Sequence, residues 1–188
     1  KVKDHNQGAN TFGLGSLAPC NYVAAATYDI IDQVVFELQR KCRYQGVLSC
    51  QFLLDSSGHL WFLEYNTRFC DPEFQSMLPS LNVDLITSLE QLQNGTLISP
   101  VTHTPINAVT VGMIHQNWPT PQPHRALISL THNKFDIIKM QGQWDYNTYW
   151  GSITNTGTDS HQQLSQEIYN WLDTVDVAPY RYRKDIAK

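Results

Sequence analysis

Glu64, Asn66 and Arg68 occupy every second position of the run LWFLEYNTRFCDPEFQ, residues 60–75. In an extended strand successive side chains alternate sides, so these three would share one face while Trp61, Leu63 and Tyr65 take the other. A carboxylate, a carboxamide oxygen and a guanidinium in a row suit a magnesium-bound polyphosphate. Magnesium takes hard oxygen ligands, and arginine grips phosphate oxygens in a planar fork. An edge strand with one solvated face shows the same alternation, so spacing alone leaves both readings open.

The elements that would carry this row are two apolar runs. Residues 46–54 and 60–66 flank Asp55-Ser56-Ser57-Gly58, which reads as the turn of an antiparallel hairpin. With a four-residue loop, Leu54 faces His59 and Gln51 faces Phe62, leaving Gln51 diagonal to Glu64 on the same face. Gln51 is then a further, weaker candidate for the metal, or an ordinary polar strand residue. Upstream, residues 1–19 read as an irregular segment. Ile30, Ile31, Val34, Val35 and Leu38 give residues 24–41 a helical spacing that ends in basic residues. A short helical turn is expected over 72–77. A helix over 84–93 should present Leu85, Leu89 and Leu92 and stop at Asn94-Gly95. A β-rich segment begins at Ile106. A last helix over 160–175 opens with the capping box Ser160-x-x-Gln163 and aligns Leu164, Ile168, Trp171 and Val175 as core.

Three motifs together resemble one family. Asn66-Thr67-Arg68-Phe69-Cys70-Asp71-Pro72-Glu73 is similar to the N-x-R-F-G-D-P-E motif of the phosphoribosylamine–glycine ligase family of ATP-grasp enzymes. Asp4-His5 and the loop from Gly8 to Gly15 are similar to its D-H and G-P-N-T-G-G-M-G. Tyr182-Arg183-Lys184-Asp185-Ile186 is similar to its closing Y-R-K-D-I. The resemblance covers nearly the whole chain, which in turn covers less than half of the family's usual length.

That resemblance implies an α+β fold. The later part of an ATP-grasp domain, an antiparallel sheet with packed helices, would occupy residues 1–100, and a small β-rich carboxyl-terminal domain residues 101–188. It implies Glu64 and Asn66 as ligands of Mg2+ (or Mn2+), with Gln51 weaker, and ATP as co-substrate. Arg68 would stabilise the transferring phosphoryl group, and Asp71 would meet the amine. Asn10, Thr11, Gly13, Asp71 and Pro72 would bind substrate, since side-chain-free backbone amides approach phosphate or carboxylate closely. The implied partners are ATP, glycine, 5-phosphoribosylamine and the family's amino-terminal half, in cis or in trans. Without that half the isolated chain is expected to be inactive. A divergent ligase for another carboxylate and amine, or a non-catalytic module keeping the fold, are the alternatives.

The chain departs from the family's pattern at several positions. Ala9 stands for proline, Phe12 for glycine, Leu14 for methionine and Cys70 for glycine. Asn117-Trp118-Pro119 replaces a G-Y-P turn, and Asn147-Thr148-Tyr149 matches the paired glycines poorly. A Cβ at position 70 requires ordinary backbone dihedrals there.

Composition sets the outer bounds. With 188 residues, 41% of them hydrophobic, and a net charge of −4, the chain can bury one sizeable core or two small ones. No basic block points to nucleic acid, and no apolar run is long enough for a membrane span. A cytoplasmic protein is expected. Cys20, Cys42, Cys50 and Cys70 form no CxxC pair and are expected to be reduced thiols, most of them buried.

Overall fold

The computed structural model describes residues 1–20, 25–96, 101–121, 128–139 and 148–188. The chain divides into two compact units, each discontinuous in sequence. The first comprises Lys1–Pro19, Asp71–Ser80 and Thr104–Lys188; the second comprises Cys20–Cys70 and Leu81–His103. The first hundred residues therefore contribute to both units. Among the described residues no helix is long and apolar enough to cross a membrane.

The first unit is built on one antiparallel sheet. Its central strand, β4 (Asn107–His115), pairs along one side with β6 (Tyr149–Gly157), which in turn pairs with β5 (Asp136–Lys139). Along its other side β4 pairs first with β1 (Gly15–Ala18), Gly15 opposite Val111, and then with β7 (Tyr180–Tyr182), Met113 opposite Tyr182. β4 is buried at every position after Asn107, because both of its faces are covered. Val109, Val111 and Met113 point to one face and pack with Ile153 of β6 against Leu164, Ile168 and Leu172 of the helix α4 (His161–Leu172). On the other face Ile114 packs with Val2, Leu14 and Tyr149. β1 lies in the stretch expected to be irregular. Four residues beginning with glycine carry too short an alternation to be read, and only β4, some ninety residues on, gives them a partner.

Helix α4 begins as its sequence dictates. Ser160 accepts the Gln163 amide, and Gln163 Oε1 returns a bond to the Ser160 amide at 3.0 Å, a closed capping box. It stops at Leu172, short of the expected 175. Leu172 is the buried residue at its end, while Trp171 and Val175 pack only partly against the core. The segment after β7 returns to the start of the chain. Arg183 and Asp185 form a twofold hydrogen-bonded ion pair, 2.7 Å at each contact. Asp185 Oδ2 also accepts the His5 amide, and Asp4 Oδ1 accepts the Lys184 amide, both at 2.8 Å. Two of the three recognised motifs thus bind each other. The Arg183 guanidinium holds the Asp185 carboxyl well below the usual carboxylate range.

The second unit contains α1 (Ala25–Cys42), the hairpin β2–β3 (Ser49–Leu54 and Leu60–Asn66) and α3 (Leu85–Gln93). Asp84 caps α3 by accepting the Thr87 amide at 2.7 Å, and Gly95 follows with a φ of 66°, the stop expected from Asn94-Gly95. Leu85, Leu89 and Leu92 are half-buried on one face of α3. The intervening short helix α2 (Glu73–Met77) falls in the first unit. The cysteine expectation is corrected: Cys20 and Cys42 are exposed, Cys50 and Cys70 only half-buried, and all four are free thiols. Each sits on the surface of a unit that buries no apolar side chain among its described residues, so there is no interior to receive them.

Candidate functional site

The hairpin turn fixes the polar row differently from the simplest register. Asp55 accepts the His59 and Ser57 amides and the Trp61 indole through its carboxylate, closing a loop of five residues, not four. Leu54 then pairs with Leu60 and Phe52 with Phe62; a bulge leaves Leu63 without a partner opposite, and Gln51 falls directly across from Glu64. Bulges re-aim side chains where they interrupt a ladder. Here the longer loop and the bulge, one residue each, together turn the expected diagonal relation of Gln51 and Glu64 into a direct one.

Glu64 is exposed and Asn66 and Gln51 are half-buried. Asn66 Nδ2 donates to Glu64 Oε1 at 2.9 Å, and Gln51 Nε2 donates to Cys70 Sγ at 3.5 Å. Both carboxamides have their nitrogens engaged, which leaves their oxygens as the available ligand atoms. Arg68 lies two residues beyond the end of β3, so strand alternation does not place it. Its exposed guanidinium donates to the Phe69 carbonyl at 3.0 Å, and Ser49 Oγ holds the Arg68 carbonyl at 2.7 Å. Cys70 is not among the residues with positive φ, which meets the condition for a side chain where the family has glycine. Burial, followed by the neighbouring Cys70, pushes the Cys50 thiol up.

A metal fits this donor set in one form. Among the described residues no three His, Cys, Asp or Glu side chains gather. One carboxylate with two carboxamide oxygens is a sparse, hard set, of the kind that holds magnesium when phosphates supply the remaining ligands.

The other candidates lie in the first unit and meet at Gly13. This glycine has a φ of 121°, and a Cβ there would stand 2.8 Å from Pro72 Cδ, so the loop can lie against the Asp71-Pro72 backbone only without a side chain. Asn10 is exposed, Thr11 is half-buried, and Thr11 Oγ1 accepts the Gly13 amide at 3.3 Å. Pro72 is buried, and its carbonyl accepts from Ser16 of β1 at 2.8 Å. Asp71 is half-buried and receives Gln75 Nε2 on Oδ1 at 2.6 Å, which leaves Oδ2 for a cation. Gln75 was not singled out from the sequence, although its position four residues after Asp71 at a helix start was a readable signal. Phe12, Trp118 and Tyr149, positions at which the chain departs from the family's pattern, form one aromatic cluster; Asn147, a further such position, lies outside the described residues. No local sequence signal could join residues so far apart.

Solved structures place this arrangement in a class. Phosphoribosylamine–glycine ligase from Thermotoga maritima aligns over 100% of this chain and 49% of its own, with a TM-score of 0.67 and 20% identity. The biotin carboxylase domain of Hydrogenobacter thermophilus 2-oxoglutarate carboxylase, solved with MgADP and bicarbonate, aligns over 90% of this chain and 40% of its own, with a TM-score of 0.65 and 12% identity. The fold is that of the ATP-grasp proteins. Sequence narrows it further: residues 1–74 match the family described as phosphoribosylglycinamide synthetase, ATP-grasp (A) domain. The phosphoribosylamine–glycine ligase of Neisseria meningitidis serogroup B is 28% identical over the whole chain and 48% of its own length. The trifunctional purine biosynthetic protein adenosine-3 of Chironomus tentans is 30% identical over the whole chain and 15% of its own length. The chain is similar in sequence to the phosphoribosylamine–glycine ligases and spans about half the length of the bacterial ligase it matches.

Proposed function

We propose that this chain is the metal-binding and amine-binding part of a cytoplasmic ATP-dependent ligase that joins glycine to 5-phosphoribosylamine in purine biosynthesis. The observation that carries the reading is the Glu64–Asn66 pair with Gln51 directly opposite, on the segment that the family model matches. The remaining length of the ligase, supplied in cis or in trans, would complete the nucleotide site. Amines do not attack a carboxylate; transfer of the ATP γ-phosphoryl group to glycine's carboxylate gives an acyl phosphate, which the amine displaces with release of phosphate. Bound magnesium would neutralise charge on the β- and γ-phosphates during that transfer. Glu64, Asn66 and Gln51 would hold the ion through oxygens, and Arg68, which ends on an exposed guanidinium, would bind the phosphoryl oxygens. Asp71, steadied by Gln75 on one oxygen, would accept the amine's protons on the other. Asn10, Thr11, Gly13 and Pro72 would line the substrate.

The test joins this chain to the amino-terminal half of the Neisseria ligase and measures ADP release dependent on glycine, phosphoribosylamine and magnesium. Activity is expected from the chimaera and lost in its Glu64→Ala form, with unfolding unchanged because Glu64 is exposed. The 188-residue chain alone is expected to show none, since orientation supplies much of such a rate. Turnover by the chain alone, or a Glu64→Ala chimaera of full activity, would sink the proposal. A second reading, a ligase for a different amine, is favoured by the aromatic cluster of Phe12, Trp118 and Tyr149 beside the substrate loop. It is supported instead if ADP release follows another amine and ignores phosphoribosylamine.

A further inference from the structure

Between two anchors, the loop of residues 10–13 leaves the body of the first unit. On one side Ala9 O accepts the Val2 amide at 3.0 Å; on the other Leu14 O accepts the Gly112 amide at 3.0 Å. Within the loop the Gly13 amide is satisfied locally by Thr11 Oγ1. Three further ties come from aromatic side chains. The Phe12 ring stands edge-on to Tyr149, centroids 5.0 Å apart at 89°, and to Trp118, 5.5 Å apart at 89°. Trp118 Nε1 donates to the Asn10 carbonyl at 2.8 Å. Edge-to-face contact is the geometry aromatic quadrupoles favour.

The seat itself is fixed. Tyr149 is 2% exposed, at the start of β6 and opposite Ile114, and its hydroxyl would lie 3.2 Å from a Cβ built on Gly112. Trp118 is held by its amide to the His115 carbonyl at 3.0 Å, just after β4. Phe12, by contrast, keeps 41% of its surface in solvent. Its side chain couples a four-residue span to Tyr149 of β6 and to Trp118 in the turn after β4.

We infer that Phe12 is a positioning residue: seated on Trp118 and Tyr149, it pins the loop so that the backbone amides of residues 11 and 12 are held in one conformation for substrate. This rests on the proposed role of the loop in binding, but the pinning can be measured apart from it. Glycine at position 12 would restore freedom about φ and remove the ring that stands on Tyr149 of β6. Pre-organisation of this kind raises affinity by sparing the ordering cost at binding.

The experiment is backbone 15N relaxation on the full 188-residue chain, with hydrogen exchange of the Trp118 indole. In the parent chain residues 11–13 are expected to have order parameters near about 0.85, falling below about 0.6 in Phe12→Gly. Phe12→Tyr, which keeps the ring, is expected to match the parent. The Trp118 indole proton should exchange at least about tenfold faster in Phe12→Gly than in the parent, as expected when a hydrogen-bonded site opens locally. The Val2 and Gly112 amides should keep their protection, reporting that the sheet is intact. A mobile loop in the parent, or unchanged order parameters in Phe12→Gly, overturns the inference; so does a freely exchanging indole in the parent, which needs no variant to fold. Glycine is then titrated while the loop amides are watched. Shifts that need several-fold more glycine in Phe12→Gly support both pinning and binding. A pinned loop that ignores glycine overturns the substrate reading alone.

Discussion

The two compact units differ in what they bury. Among the described residues every buried apolar side chain, from Val2 and Leu14 through β4, β6 and α4 to Tyr180, belongs to the first unit; the second unit buries Thr27 and no apolar residue. Instead it leaves Phe36, Leu53, Trp61, Leu63 and Ile86 more than half exposed. Apolar surface left in water forgoes about 25 cal/mol per Å², so the second unit has secondary structure with little of the driving force that normally holds it. The proposed metal-binding row sits on this weakly supported hairpin, and the proposed amine site sits on the closed core. Ordering of the first is therefore the step that a covering surface, or the ligand itself, would supply.

The comparison breaks most sharply on paired core substitutions. Ile153→Ala removes a side chain with no exposure from the first unit and is expected to cost about 2–5 kcal/mol in urea unfolding. Leu53→Ala, at 55% exposure in the second unit, is expected to stay within about 0.5 kcal/mol. Similar losses at both positions would mean the second unit has a core after all.

A smaller effect separates the units by pH. Asp185, paired with Arg183 in the first unit, has its folded pKa below the unfolded value of about 3.9. Its contribution is complete above that value and shrinks as pH falls towards the folded one. Asp185→Asn is expected to cost about 1.5–3 kcal/mol at neutral pH, the range for hydrogen bonds to charged groups. The deficit should close below about pH 4 as the parent loses the same interaction. A deficit independent of pH would assign the loss to packing.

The smallest effect compares like with like. Ser160 caps α4 in the first unit and Asp84 caps α3 in the second. Alanine at either site removes about 1 kcal/mol from its helix. Ser160→Ala should shift the global midpoint, whereas Asp84→Ala should speed hydrogen exchange in α3 and leave the midpoint unchanged, because a unit that opens locally does not limit global stability. A midpoint shift in Asp84→Ala would show the units unfolding together.

What the sequence revealed follows the same line between local and distant. The capping box of α4, the hairpin and the helices α1, α3 and α4 were readable, because each is specified by residues within a turn or two of one another. Gln51 was placed on the same face as Glu64 but in the wrong register, since the loop runs one residue longer than its turn residues suggest and the bulge at Leu63 leaves no local mark. Arg68 continued the alternation on paper, yet β3 ends at Asn66. The seat of Phe12 on Trp118 joins residues more than a hundred positions apart, and the discontinuous units have the same origin. Such contacts arise from topology, which alternation and capping do not encode.

The placement of β4 has a kinetic consequence. One side of this strand is completed in two pieces, by residues 15–18 and by residues 180–182, on opposite sides of it in sequence. A chain emerging from the ribosome has β1 long before β4, and then must wait for β7 to cover Met113 and His115. Until residues 180–182 are released, the half of that edge opposite β7 is an open template for another strand. Newly made chains should therefore be most prone to associate between the release of β6 and that of β7, when nearly all of the sheet is present and its final seam is still unpaired.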